Sequence, residues 1–231
     1  MKTILAPKRH LYAIGDIHGC LNELKRLIEK IDFDASLDQM IFMGDYVDRG
    51  LDSKGVIDYL IDFKKKAHKT IFLKGNHEDM MLDYLGLGGM HGRYWLQNGG
   101  DLTIESYVSA YKRKHITKEQ IARDHLSFLL SLDLCVECSS YLFVHAGLNP
   151  FDSLDQQETE NLLWIREPFL NNPSPFGERV IVHGHTPFKH AHIDKEGKKI
   201  GIDTGCVFGG ELTCIECNTQ TITTVKSEYE Y

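Results

Sequence analysis

The chain has 231 residues, of which 42% are hydrophobic and 26% are charged, and its formal net charge is −7. This composition is typical of a globular domain with a substantial core and excludes a fibrous or disordered chain. An acidic surface repels a phosphate backbone, so non-specific nucleic-acid binding is disfavoured. Neither a run long enough to span a bilayer nor the apolar core of a secretory signal is present in the sequence. We therefore expect a cytoplasmic protein with no nucleic-acid partner and no membrane partner.

The first half of the sequence alternates between strand and helix patterns. A short buried strand is predicted at 11–14, and the following helix carries apolar residues at 21, 24, 27, 28 and 31 on one face. The pattern repeats at 40–43 with a helix from Ser53, and again at 70–73 with a helix over 80–85. Three successive β-α units predict a sheet of parallel or mixed strands with helices on its faces.

A glycine-rich stretch at 86–100 interrupts this rhythm. It predicts a cap or loop insertion at about 86–117, and a helix is predicted near 118–132. Further strands are predicted at 142–144, 180–182, 191–193, 199–202, 212–216 and 222–225, with a hairpin turn at 195–198 and a lean towards antiparallel pairing. The predicted fold class is α/β, in which a single domain over residues 1–231 contains two packed mixed β-sheets flanked by helices.

Polar residues follow each of the first three strands directly after a glycine. Asp16, Asp45 and Asn76 are 29 and 31 residues apart, which is one β-α unit each time. Because ligands bind outside the carboxyl ends of strands in an open α/β sheet, we expect these side chains to lie together. Two later strands end at His145 and His185. Carboxylate, imidazole and amide oxygen are ligands that suit Mn²⁺, Fe or Zn²⁺.

Each fragment taken alone has an ordinary structural interpretation. Asp48 and Arg49 are typical of a surface ion pair, Asn76 of a helix N-cap, and His145 of a hydrogen-bonded core residue. Five such fragments, all at strand ends and at regular intervals, favour a shared site instead.

The six cysteines include two C-x-x-C pairs, at 135–138 and 214–217. This spacing is found in zinc sites. Here both pairs lie in predicted strands, where residues three apart point to opposite faces. We therefore predict core cysteines, and the alternatives are a zinc site or a disulfide.

The strand-end segments resemble a known family. They match, in order, the signature of the phosphoprotein phosphatase branch of the calcineurin-like metallophosphoesterases, in its bacterial or bacteriophage form. The resemblance extends from about Gly15 to Gly210. The matching fragments are GDIHG, GDYVDRG, GNHE, VHAG, LWIRE and VHGHTP.

The resemblance implies a centre of two divalent metal ions, most readily Mn²⁺, with Fe or Zn²⁺ as alternatives. Asp45 bridges both ions in this assignment. The ligands are Asp16, His18 and Asp45 for the first ion, and Asp45, Asn76, His145 and His185 for the second.

Two histidines are candidates for the last ligand of the second ion. His183 and His185 are two residues apart on a strand and so share a face. The ligand in this family directly follows the glycine, as His185 follows Gly184, so His185 is assigned and His183 is expected to be structural. Many members of the wider superfamily have another histidine two residues later, where this sequence has Pro187.

The resemblance also implies the reaction. His77 and Asp48 form the acid pair, and Arg49 and Arg166 hold the phosphate. We expect a phosphatase that hydrolyses phosphoserine and phosphothreonine monoesters by direct attack of a metal-bound hydroxide. Its partner is then a phosphorylated protein or peptide, and no segment indicates a regulatory subunit.

Two alternatives to this function stay open. The nearest is a dinucleoside polyphosphate hydrolase of the same branch, and the intact Asp48, Arg49 and Glu78 favour the protein phosphatase over it. A non-catalytic phosphate-binding module is the second alternative, and the presence of every expected ligand disfavours it.

Overall fold

A computed structural model describes residues 2–4, 6–108 and 115–229. It contains two β-sheets. The five-stranded sheet has the order β11-β10-β2-β3-β4, and the six-stranded sheet has the order β1-β5-β6-β7-β9-β8. The strands are β1 (Lys2–Ile4), β2 (Leu11–Ile14), β3 (Gln39–Phe42), β4 (Ile71–Phe72), β5 (Cys135–Cys138), β6 (Tyr141–Val144), β7 (Val180–His183), β8 (His192–Ile193), β9 (Lys199–Gly201), β10 (Glu211–Glu216) and β11 (Thr221–Lys226).

Both sheets are mixed, as predicted. In the first sheet β2, β3 and β4 pair in parallel, while β10 joins β2 and β11 in antiparallel register. The second half leans towards antiparallel pairing, as predicted, since β5–β6, β8–β9 and β10–β11 are antiparallel, but β6, β7 and β9 pair in parallel. The connection from β6 to β7 contains two helices and is long enough for a parallel crossover, which local strand patterns do not reveal.

Helices cover the outer faces of the sheets. They are α1 (Leu21–Lys30), α2 (Ser53–Lys66), α3 (Asn76–Tyr84), α4 (Gly100–Tyr107), α5 (Arg123–Leu130), α6 (Thr159–Trp164) and α7 (Glu167–Asn171). The side chain of Asp52 caps α2 by accepting a hydrogen bond from the Gly55 N–H at 2.8 Å. Across the described ranges, no helix is long and apolar enough to cross a membrane.

Alternation along the strands divides the core into layers. Ala13 and Ile41 face inward and pack with Phe143, Val182 and Ile200 of the opposite sheet. The residues between them point outward, where a second cluster joins the first sheet to α1, α2 and α3. A third cluster joins the outer face of the second sheet to α6 and α7. The two sheets therefore pack face to face, as the sequence predicts.

The stretch predicted as a cap or loop insertion contains short turns and one helix in its described part. Two short 3₁₀ turns at Gly92–Tyr94 and Leu96–Asn98 lead into α4, and Trp95 between them is fully buried. The part of this prediction at 109–114 lies outside the described residues. The helix predicted near 118–132 begins as a 3₁₀ turn at Lys118–Gln120 and continues as α5.

The cysteines lie in the core. All six are buried, and none forms a disulfide among the described residues. Cys135 and Cys138 belong to different core clusters, as do Cys214 and Cys217, so each pair spans both faces of its strand. This arrangement agrees with core cysteines and does not bring a C-x-x-C pair together around a zinc ion.

A buried lysine fixes the C-terminal end of α7. Lys199 is 4% exposed, and its ammonium donates to the carbonyl oxygens of Phe169, Leu170 and Asn172 at 3.0, 3.0 and 2.8 Å. Carbonyl groups at a helix C-terminus lack intrahelical partners and carry negative partial charge, which a cation satisfies.

Replacing this lysine is predicted to destabilise the fold. In Lys199→Met, three partly buried carbonyl groups lose their donor, and we expect the free energy of unfolding to fall by about 2–4 kcal/mol. Urea denaturation measures this change. Lys198→Met is the matched control, since Lys198 pairs with the exposed Glu178 and its loss leaves stability nearly unchanged. Equal effects of the two substitutions would contradict this role of Lys199.

Candidate metal centre

The predicted site residues lie at the carboxyl ends of strands from both sheets, except Arg166, which lies between α6 and α7. Those that follow β2, β3 and β4 meet those that follow β6 and β7. All are buried except Arg49, which is half-buried, and Arg166, which is exposed. The structure brings together Asp16, His18, Asp45, Asp48, Arg49, Asn76, His77, His145, Arg166 and His185.

Several of these residues have an unusual backbone conformation. The φ angles of His18, Asp45, Asp48, Arg49 and His185 are 45°, 50°, 72°, 67° and 63°. Such left-handed conformations cost residues with a Cβ about 1–3 kcal/mol each, and surrounding interactions must hold them. The backbone conformation of these strand-end turns is therefore held by contacts within the site and not by the intrinsic preference of the residues.

Glu78 holds two of these turns together. Its carboxylate accepts hydrogen bonds from the backbone N–H groups of Asp45, Tyr46 and Val47, and from that of Gly75, at 2.7–3.2 Å. Burial and the nearby Asp45 charge raise the pKa of Glu78 to about 7, while the hydrogen bonds from the backbone oppose this shift. The turn after β3 and the turn before α3 thus share one side chain.

Two glycines make room for the carboxylates. A Cβ at Gly75 would collide with the Asp45 carboxylate, and a Cβ at Gly184 would collide with that of Asp16. The glycine that precedes each polar segment is therefore a steric requirement at these two positions.

Asp45 lies between two groups of side chains that could each hold a metal ion. One group contains His18, Asp45 and His77, and the other contains Asp45, His145 and His185; within each, the ligand atoms lie within 4.8 Å of one another. The Nε2 atoms of His18 and His145 are both 3.4 Å from Asp45, on different carboxylate oxygens. This geometry fits the predicted bridging position of Asp45.

Backbone carbonyl groups orient two of the imidazoles. Nδ1 of His18 lies 2.8 Å from the carbonyl oxygen of Val47, and Nδ1 of His145 lies 2.9 Å from that of Met43. Since a carbonyl oxygen only accepts, the proton is assigned to Nδ1 in both rings, which leaves the Nε2 lone pair directed into the site. Metal-binding histidines are commonly oriented in this way.

The site contains more hydrogen-bond acceptors than donors. Asn76 Oδ1 is 3.0 Å from the unprotonated Nε2 of His145, and Asp16 Oδ1 is buried without a partner among the described residues. His185 Nδ1 lies 2.9 Å from Asn76 Oδ1 and is its donor, since Nε2 of that ring accepts from Arg166. Converging acceptors repel one another unless a cation lies between them. The residues present therefore fit divalent metal ions.

The pKa values of His145 and Asp16 are both raised by the negative charge of neighbouring carboxylates. Burial lowers the pKa of His145, but the charges of Asp45 and Asp16 outweigh burial and raise it to about 10. Burial and the charge of Asp203 raise the pKa of Asp16 well above its usual range. Both shifts indicate a pocket that favours positive charge.

His77 and Asp48 form a buried pair beside the first group. Nδ1 of His77 lies 2.6 Å from Asp48 Oδ2, so Nε2 is the ring nitrogen left to face the site. Burial lowers the pKa of His77 to about 3, although the charge of Asp45 opposes this. Burial raises the pKa of Asp48 well above its usual range, and hydrogen bonds from Thr103 and Trp95 oppose that shift. Burial thus disfavours the charged form of both side chains in this pair.

The two arginines contact opposite groups. Arg49 Nη1 donates to His18 Nε2 at 2.8 Å, and Arg166 Nε donates to His185 Nε2 at 3.1 Å. Each of the two candidate metal groups therefore has a guanidinium in contact with one of its histidines.

The two histidines of β7 and its following turn lie in different surroundings. The structure places His185 beside Asp45 and His145, whereas His183 packs edge-on against Phe169 and Phe188 in the core.

Sequence reasoning missed a set of residues behind the predicted ones. Asp203 is 6% exposed, follows β9 and adds its charge to that of Asp16 and Asp45, and its place at a strand end was an available signal. Trp95 and Thr103 contact Asp48 from the segment that the sequence predicts as a cap. No sequence motif indicates that these two residues contact Asp48.

Comparison with known proteins agrees with this geometry. The model of the calcineurin-like phosphoesterase family matches residues 9–218. Serine/threonine-protein phosphatase 1 of Salmonella typhimurium is 32% identical over 215 residues, which cover 89% of this chain and 90% of that protein. The asymmetrical bis(5'-nucleosyl)-tetraphosphatase PrpE of Anoxybacillus flavithermus is 27% identical over 241 residues, which cover 94% of each.

A solved structure has the same architecture. A candidate diadenosine tetraphosphatase superposes with a TM-score of 0.75 at 21% identity and covers 99% of both chains. The match to the family model contains every predicted site residue. The chain therefore belongs to the calcineurin-like phosphoesterase family, in its phosphoprotein phosphatase branch, and is a metal-dependent phosphoesterase.

Proposed function

We propose that this enzyme is a serine/threonine protein phosphatase. The buried His77–Asp48 pair, next to the candidate metal groups, is the observation that carries the proposal. A serine or threonine alkoxide is a poor leaving group, so its departure gains much from a positioned proton donor. A nucleoside phosphate that leaves a polyphosphate is already a stable anion and gains less.

Two divalent cations complete the proposed site. Asp16, His18 and Asp45 would hold one, and Asp45 would hold the other with Asn76, His145 and His185. When bound, such ions supply Lewis acidity that polarises phosphoryl oxygens and lowers the pKa of water. Mixed oxygen and nitrogen ligands without a thiolate favour Mn²⁺, with Fe and Zn²⁺ as the other candidates.

The chain's own residues then bind and protonate the substrate. Arg49 and Arg166 approach the site from its two sides and bind the phosphoryl oxygens, because a planar guanidinium matches the phosphate geometry. To act as the acid, His77 must first take up a proton at Nε2, which burial opposes and the Asp48 carboxylate at Nδ1 favours, and it then donates that proton to the leaving oxygen. Asp48 holds Nδ1, so that Nε2 keeps its direction towards the site.

A second candidate function is hydrolysis of dinucleoside polyphosphates. The relative PrpE acts on such a substrate, as its name states. In this chain the ring of Phe208 is 46% exposed and lies 5.4 Å from the guanidinium carbon of Arg49. An exposed aromatic ring beside a phosphate-binding arginine offers a surface on which a base can stack.

Loss of the proton donor is predicted to slow turnover without removing metal. In His77→Asn, kcat on a phosphoserine peptide should fall by about 10²–10⁴-fold, which is the usual contribution of a general acid. Steady-state kinetics and metal analysis of the same preparation measure both quantities. A parallel loss of metal would contradict the separation of His77 from the ligands.

The proposed substrate class has a direct test. With Mn²⁺ supplied, we expect kcat/KM to be higher for phosphoserine and phosphothreonine peptides than for phosphotyrosine peptides or diadenosine tetraphosphate. Phosphate release and nucleotide chromatography follow these reactions side by side. A strong preference for diadenosine tetraphosphate would overturn the proposal in favour of the second candidate.

A further inference from the structure

The segment from Trp95 to Thr103 packs against the acid pair. Trp95 is 0% exposed, and its indole N–H is 2.9 Å from each carboxylate oxygen of Asp48. The Thr103 hydroxyl donates to Asp48 Oδ1 at 2.7 Å. Both donors come from the segment that the sequence predicts as a cap.

The same segment also holds the backbone at Asp48 and Arg49. The Asp48 N–H donates to the hydroxyl oxygens of Thr103 and Ser53 at 2.8 and 3.0 Å. The Arg49 N–H donates to the carbonyl oxygen of Gly99 at 3.1 Å. These contacts hold two consecutive residues in the left-handed conformation, which neither residue adopts readily by itself.

From these contacts we infer that Trp95 and Thr103 are positioning residues for the reaction, which act through Asp48 to orient the proton donor His77. The inference rests on the proposed acid pair. Asp48 meets His77 through Oδ2 alone, at 2.6 Å, so the direction of the imidazole follows the direction of the carboxylate. The indole N–H and the threonine hydroxyl are the side-chain donors that set this direction.

A misdirected proton donor has a signature that general destabilisation lacks. Substrates with poor leaving groups require the proton, and substrates with good leaving groups do not. The loss of kcat should therefore depend on the leaving group while KM stays nearly constant, because Arg49 and Arg166 still bind the phosphate.

The experiment compares Trp95→Phe with the wild-type enzyme on phenyl phosphate and 2,4-dinitrophenyl phosphate, with Mn²⁺ supplied. Phenylalanine keeps a ring in the core and removes the N–H. We expect kcat on phenyl phosphate to fall by about 10–100-fold, a part of the full contribution of a general acid, and kcat on the dinitrophenyl ester to fall by less than about threefold. Equal losses on both substrates would overturn the inference.

A pair of variants at Thr103 gives an independent test if Trp95→Phe folds poorly. Thr103→Val keeps the shape and removes the hydroxyl, so it should show the same dependence on the leaving group. Thr103→Ser restores the donor and should restore turnover. Tyr107→Phe is the matched control on the same helix, because its hydroxyl pairs with His125 and not with Asp48. A leaving-group dependence in this control would contradict the assignment.

The variant Trp95→Phe/His77→Asn separates the inference from the proposed function. If Trp95 acts through His77, the double variant should be no slower on phenyl phosphate than His77→Asn alone. Additive losses would show that Trp95 acts elsewhere. The aryl esters report on the acid pair even if phosphoserine peptides prove to be poor substrates, and equal effects of His77→Asn on both esters would overturn the acid pair together with the inference.

Discussion

A buried pocket in which acceptors outnumber donors is the constraint on which this structure depends. Asp45 stands at its centre, within 3.4 Å of two imidazoles whose lone pairs face it, and Asp16 adds an oxygen that no described group satisfies. A buried arrangement of this kind is unfavourable by itself and becomes favourable when cations bind. The fold provides it by joining the strand ends of two sheets, so that neither sheet contains the whole site.

The backbone conformations at the site require support from a second layer of residues. Glu78 joins the turn that contains Asp45 to the turn that begins α3, with four hydrogen bonds from backbone N–H groups. Thr103 accepts a hydrogen bond from the Asp48 backbone N–H, and Trp95 and Thr103 both donate to the Asp48 carboxylate. Binding of the cations and delivery of the proton thus depend on different parts of the chain, and substitutions in the two layers can separate them.

Much of the site was predictable because its signals are local. A buried strand, a glycine and a polar residue recur at one β-α interval, and this pattern is enough to predict that Asp16, Asp45 and Asn76 meet at one edge of a sheet. The pairing of β6, β7 and β9 was not predictable, since parallel crossovers depend on contacts distant in sequence. The role of Trp95 was not predictable either, because the sequence does not show which acceptor the indole N–H of a buried tryptophan contacts.

The binding stoichiometry of Mn²⁺ tests the central claim most directly. Calorimetric titration of metal-free protein should give two ions per chain, because Asp45 belongs to both ligand groups. In Asp45→Asn, the shared carboxylate is lost and binding of both ions should weaken together. One ion per chain in the wild-type protein, or an Asp45→Asn variant that binds two ions as tightly as the wild type, would contradict a two-metal centre bridged by Asp45.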